Sequence, residues 1–201
     1  YDATKEVVDW MNPKVASSND WKNASEDITG IIPKELRPQL LEPIRLKNEI
    51  SAVKFWKAPS GSWIFDFGVN VTGVPKIKMS QPKGTHIKMR MGEHINNDGS
   101  IDYTSTGYKF IGPIQIEEYI FAGKKEEVWY PRFTYHGYRY LELSGFPNTP
   151  SLDMISTIIL HTNAQKRGEF KSSNEQINKL HEMAVRTMLS NVQGLPIDCP
   201  H

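Results

Sequence analysis

The chain has a single cysteine, Cys199, among 201 residues, so no internal disulfide framework can staple it. No apolar run approaches the roughly 20 residues that a bilayer-crossing helix needs. It also lacks an excess of charge of one sign. Its 24 basic and 23 acidic residues are interspersed and leave a net charge of +1, which gives no electrostatic case for nucleic acid or an anionic membrane as a partner. The histidines (His86, His94, His136, His161, His181 and His201) form neither an HxH nor an HExxH pattern, so no metal site is expected. Internal repeats and low-complexity tracts are missing too. The compartment is not legible, because one cysteine is compatible with a secreted or periplasmic protein without requiring it.

What is present is the composition of a globular protein, 38% hydrophobic and 10% aromatic, long enough to bury a core. Residues 1–50 are polar and proline-rich. Trp10 and Trp21 flank a turn-rich excursion from Asn12-Pro13 to Asn19-Asp20, and Pro38 and Pro43 argue against a continuous helix over Leu36–Leu46. This segment is expected to be the end of one unit plus a connector.

From about residue 51 to 160 the pattern has period two. Lys76-Ile77-Lys78-Met79 and His86-Ile87-Lys88-Met89-Arg90-Met91 alternate polar and apolar residues. Ile114, Ile116, Glu118 and Ile120 share one strand face, opposite Gln115, Glu117, Tyr119 and Phe121. Such alternation marks half-buried antiparallel strands. Turn signals at Pro82-Lys83-Gly84, Asn97-Asp98-Gly99, Ala122-Gly123-Lys124 and His136-Gly137 divide the runs. The expectation is mainly β: an antiparallel β-sandwich of jelly-roll or concanavalin-like type.

A different period follows. Ser173-Asn174-Glu175-Gln176 reads as a capping box, with Ser173 as the cap and Gln176 reaching back. Ile177, Leu180, Ala184 and Met188 recur at helical spacing, with Gly194 as the left-handed stop and Pro196 barring continuation. A helix over about 173–193 is predicted. Nothing after it in the chain covers its apolar stripe, so it is read as the first helix of a further helical domain.

Several groups are candidates for chemistry. Glu93-His94 is read as a solvated strand end. Cys199 and His201 lack the third group that holds a base against a nucleophilic thiol, so Cys199 is expected to be buried and structural. Asp66, among the aromatics of Trp63–Gly68, is either a sugar contact or, as favoured here, a strand-end carboxylate bonded to a neighbouring turn. Pro131-Arg132-Phe133-Thr134-Tyr135-His136-Gly137-Tyr138-Arg139-Tyr140, with His136-Gly137 as its turn, is expected to be a hairpin whose rings, Phe133 included, mostly fill core. Asp198 directly follows a proline turn at a helix end. It is either a pocket carboxylate or a turn cap.

Taken together, Phe65-Asp66-Phe67-Gly68-Val69-Asn70-Val71-Thr72-Gly73, Arg90-Met91-Gly92-Glu93-His94, Asn97-Asp98-Gly99-Ser100, the run from Trp129 to Tyr140, and Pro196-Ile197-Asp198-Cys199-Pro200-His201 resemble the bacterial α-L-rhamnosidases of glycoside hydrolase family 78. Order and spacing agree over about residues 60–201. Tyr1-Asp2-Ala3 with Trp21-Lys22 resembles the end of the family's N-terminal β-sandwich. Two features depart from the pattern: Val69 stands where a polar residue is usual, and Gly107–Pro113 is not the usual compact hairpin.

The resemblance implies a multidomain enzyme in which β-sandwiches precede a catalytic (α/α)6 barrel. Residues 1–50 would be the end of the first sandwich plus a connector, 51–161 the second sandwich, and 162–201 a linker with the barrel's first helix and loop. It further implies that the Asp of the Asp-Cys-Pro motif, here Asp198, binds rhamnose in the donor pocket. The general acid, a Glu a few residues past the motif, and the general base far downstream would both lie outside this chain, which by itself is expected to be inactive. The implied partner is a rhamnose-containing oligosaccharide or glycoside. The implied reaction inverts the anomeric centre using two carboxyl groups about 6.5–9.5 Å apart, and needs no cofactor. A non-catalytic carbohydrate-binding or scaffolding β-sandwich module is the competing class.

Overall fold

The computed structural model describes residues 1–12, 22–25, 35–106 and 114–200. The excursion after Asn12, Trp21, the departing segment Gly107–Pro113 and His201 lie outside the described residues.

The strands are β1 (Ile44–Ser51), β2 (Lys54–Lys57), β3 (Trp63–Met79), β4 (His86–Gly92), β5 (His94–Ile95), β6 (Ile101–Asp102), β7 (Ile116–Ile120), β8 (Glu127–Trp129), β9 (His136–Ser144) and β10 (Ile155–Thr162). One helix, α1 (Glu175–Ser190), follows. A two-stranded hairpin of β11 (Val192–Gln193) and β12 (Leu195–Pro196) comes next. The main sheet runs β1-β10-β3-β9-β4-β7, with β2 and β8 also paired to β3. Every pairing between these strands is antiparallel. The fold is a curled, jelly-roll-like antiparallel sheet followed by a single helix. Its first strand begins at Ile44, inside the segment read as a connector.

The period-two pattern is the physical basis of this sheet. In β4, Ile87, Met89 and Met91 are fully buried while His86 and Lys88 face solvent. In β7 the core face is the one carrying Tyr119, continued by Phe121 just past the strand, with Glu118 turned outward. These side chains join Phe65, Phe67, Tyr138, Leu141 and Leu143 in one core. Burial of each large apolar side chain contributes about 1.5–3 kcal/mol.

The 17-residue β3 is the spine. Its first part pairs with β2 and β9, its middle with β9 and β10, and its end with β8. Pro75, which has no N–H to donate, falls between Gly73, the last residue paired to β9, and Ile77, the first paired to β8. The register against β9 breaks between Asp66 and Val71. Gly68, at φ +78°, turns the chain there, as a bulge requires.

The turns at Lys83-Gly84 and Asn97-Asp98 form as expected. His136-Gly137 does not turn: both residues begin β9 and pair with Gly73 and Thr72. The helix limits also differ from expectation. Asn174, not Ser173, is the cap, its side chain accepting the Gln176 N–H at 2.9 Å. The helix ends at Ser190 because Asn191 caps it. Gly194, at φ +83°, turns the β11–β12 hairpin rather than stopping the helix.

At the other end of the chain, the Tyr1 amino group donates to the Glu118 carbonyl at 2.7 Å. The Tyr1 ring stacks on Tyr119 and Trp129, with centroids 5.8 Å away in each case.

Candidate functional site: the loop after the helix

The end of α1 is tied to the sheet through hydroxyl groups. Thr72, buried in β3, donates its Oγ1–H to the Ser190 carbonyl at 2.9 Å. That carbonyl lies in the last turn, where no intrahelical partner exists. Thr162, at the end of β10, donates to the Val192 carbonyl at 2.9 Å and accepts the Gly194 N–H at 2.7 Å. The Gln193 amide reaches the Leu160 carbonyl at 3.1 Å. The hairpin closes on itself when Ile197 N–H donates to the Asn191 carbonyl at 2.8 Å. Asp198 and Cys199 follow, and Pro200 settles against Gly137.

Asp198 is exposed, and its carboxylate has no hydrogen-bond or ion-pair partner among the described residues. Among the described residues it caps no turn. Cys199 is exposed as well, against the expectation of burial, because the chain leaves the sheet before reaching it. Beside the loop, a cleft of about 400 Å3 is lined by Asn70, Glu93, Arg186, Asn191 and Pro200, among others.

The other candidates resolve into structural roles. Asp66 is 1% exposed and holds Arg139 in a two-pronged pair at 2.8 and 3.0 Å. It also accepts the Gly68 N–H at 2.7 Å. Burial by itself would raise its pKa; the Arg139 and Gly68 hydrogen bonds outweigh burial and hold the carboxyl below its ordinary value. The pair therefore clamps the bulge in β3 and leaves no oxygen turned to a sugar. Glu127 does comparable work in the loop after β7, accepting the Ala122, Gly123 and Lys124 amides and the Tyr119 hydroxyl. Glu93 accepts from Asn70 at 3.2 Å, while the adjacent His94 belongs to β5 and is exposed. No cluster of metal-ligating side chains occurs among the described residues.

The aromatic run divides. Tyr138 is fully buried, and its hydroxyl meets Thr157 at 2.9 Å. Phe133, expected in the core, is 106% exposed. It sits at φ +64°, so the chain turns there, before β9 begins, and throws the ring outward.

Residues 56–161 match the family model for the bacterial α-L-rhamnosidase concanavalin-like domain, and residues 165–201 match that for the bacterial α-L-rhamnosidase 6 hairpin glycosidase domain. The chain belongs to the bacterial α-L-rhamnosidase family. It is 35% identical to an α-L-rhamnosidase of Formosa agariphila, over 100% of this chain and 21% of that protein. The structure of an α-L-rhamnosidase from Dictyoglumus thermophilum superposes with a TM-score of 0.86 at 35% identity, covering 100% of this chain and 22% of that one. The α-L-rhamnosidase of Streptomyces avermitilis, complexed with L-rhamnose, gives a TM-score of 0.87 at 30% identity, over 100% of this chain and 19% of that one. This chain thus spans about a fifth of the length of these relatives.

Within the family frame, four residues of the site escaped the sequence reading. Thr72 and Gly137 lie inside the family motifs, where the local pattern gives them only strand and turn roles. Thr162 and Gln115 carried no local signal, since their partners are 30 and 22 residues away.

Proposed function

We propose that this chain is part of an α-L-rhamnosidase that removes terminal α-L-rhamnose from glycans or glycosides, with Asp198 contacting the sugar in the donor pocket. In this reading, the residues before Ile44 finish an N-terminal sandwich and connector, the second sandwich runs from β1 to β10, and the residues after Thr162 open an (α/α)6 barrel. The observation that carries it is the Asp198 carboxylate: exposed and unpartnered among the described residues, on a loop that hydrogen bonds hold to the sheet. Such a carboxylate can take two sugar hydroxyls through charge-assisted hydrogen bonds. The complex of the Streptomyces avermitilis relative with L-rhamnose supports the choice of sugar.

The chemistry follows from two carboxyl groups outside this chain. One, with a raised pKa, protonates the glycosidic oxygen; the other, ionised, activates a water on the opposite face of the ring. Each role contributes on the order of 10²–10⁴ in rate, so residues 1–201 alone are expected to be inert. The competing reading, a free-standing binding or scaffolding module, gives the Asp198 loop no purpose.

The test is hydrolysis of an aryl α-L-rhamnoside by the full-length protein, with the first-formed anomer followed by NMR. Release of β-L-rhamnose agrees with the proposal. Release of the α anomer overturns the inverting mechanism, and no release overturns the activity.

A further inference from the structure

We infer that the sheet positions the rhamnose contact from outside the catalytic domain, with Thr162 and Gly137 as positioning residues for Asp198. The inference rests on the function proposed above.

Asp198 touches nothing among the described residues that would aim it. Its direction must come from where the chain on either side is held, and both sides are held by the sheet. Upstream, one Thr162 hydroxyl serves two backbone groups, donating to the Val192 carbonyl at 2.9 Å and accepting the Gly194 N–H at 2.7 Å. A hydroxyl does both through a single oxygen. Thr162 is 7% exposed, so water cannot readily replace it. Gly194 is also the hairpin's positive-φ turn, so this tether grips the residue that sets the direction of β12.

Downstream, Pro200 packs on Gly137. A Cβ at position 137 would lie 2.5 Å from Pro200 Cγ and 3.1 Å from Pro200 O. Gly137 is not among the residues of positive φ, so its backbone does not require glycine; the close approach of Pro200 does. The Gly137 N–H is itself fixed, donating to the buried Gln115 Oε1 at 2.9 Å. Between these anchors the path through Ile197, Asp198 and Cys199 has little slack. The hydrogen bond from Ile197 to Asn191 removes more.

The test uses the full-length protein with Thr162→Val, Thr162→Ser and Gly137→Ala, read by steady-state kinetics on an aryl α-L-rhamnoside, amide hydrogen exchange over residues 191–200, and thermal melts. Thr162→Val keeps the shape and removes both hydrogen bonds. It is expected to speed Gly194 exchange and raise KM, each roughly tenfold, with kcat nearly unchanged, because a sugar contact made equally in ground and transition states acts on KM. Thr162→Ser is expected to restore both readouts. Gly137→Ala is expected to raise KM while leaving Gly194 protected, since it displaces the loop at its other end.

Faster Gly194 exchange with an unchanged KM would overturn the inference, and so would unchanged exchange in Thr162→Val. Equal loss in Thr162→Ser would show that the hydroxyl is not the cause and would also overturn it. If Thr162→Val fails to fold, Gly137→Ala decides: an unchanged KM overturns the inference. A wild-type protein that releases no rhamnose overturns the proposed function, and this inference with it; an active wild type whose KM ignores both sites overturns this inference alone.

Discussion

Phe65, Met89 and Leu141 are fully shielded in the sheet, whereas Leu180, Met183 and Met188 on α1 stand 65%, 59% and 56% exposed. Both regions show clear apolar periodicity, of two in the strands and of about 3.6 in the helix. The sheet curls and supplies its own cover. The helix packs on β3 and β10 through one side only, and no residue of α1 is buried. The Thr72 hydroxyl ties the last turn of α1 to the sheet, and the Thr162 hydroxyl ties the hairpin after it. Periodicity therefore tells which side chains share a face, but not what covers that face.

The comparison is broken most directly by paired truncations. Phe65→Ala is expected to lower stability by about 3–5 kcal/mol through loss of burial and the cavity left behind. Leu180→Ala on the helix is expected to change the stability of this chain by less than about 0.5 kcal/mol. Urea unfolding of both variants checks the contrast, and equal losses would mean that α1 is buried in solution.

Asp66→Asn is expected to cost about 3 kcal/mol, the lower end for breaking a buried pair, because the Arg139 side chain is 37% exposed and partly solvated. The pH dependence has a definite sign. Asp66 and Glu127 titrate below their ordinary values of 3.8 and 4.5 in the folded chain. The stability they confer is thus complete above those values and drains away as the pH falls through the lower, folded ones. Acid unfolding followed by circular dichroism should therefore be less steep in Asp66→Asn than in the wild type.

Asp198→Asn lies on the other side of the comparison. In the full-length protein it is expected to lower kcat/KM roughly 10- to 150-fold, the equivalent of a hydrogen bond to a charged partner, with the melting temperature unchanged. Full activity with a large loss of stability would make Asp198 a structural residue.

Phe133 gives the smallest effect. Phe133→Ala is expected to shift stability by less than about 0.5 kcal/mol, since the ring buries nothing. Phe133→Gly is expected to stabilise by about 0.5 kcal/mol, because relief of the left-handed backbone exceeds the added freedom of glycine in the unfolded chain. Thermal melts of the two variants check both, and a loss near 3 kcal/mol, the scale of core truncation, would restore Phe133 to the core.

Much of the fold was legible because its signals are local. Alternation over Ile87, Met89 and Met91 declares a half-buried strand whatever its neighbours, and glycines at Gly84 and Gly99 mark turns that the backbone itself demands. Ile177, Leu180 and Met188 declare a helix in the same way. Sequence and structure part where a residue answers to a distant partner or where the backbone turns locally. Gly137 looked like a turn glycine and is instead the flat place where Pro200 lands. Phe133 looked like core because its neighbours are core, but the chain turns just before β9 begins.

By itself, the sequence determined the period of each segment, the order of strands before helix, and the motifs that carry the family likeness, because these depend on residue types at short spacing. Only the tertiary structure decided that Asp66 belongs to Arg139, that Thr162 holds Val192 and Gly194, and that Asp198 is left without a partner among the described residues. Those pairings join residues 73 and 30 positions apart. Hydrogen bonds and close contacts act over a few ångströms of space, and sequence spacing does not report which distant residues the folded sheet brings that close.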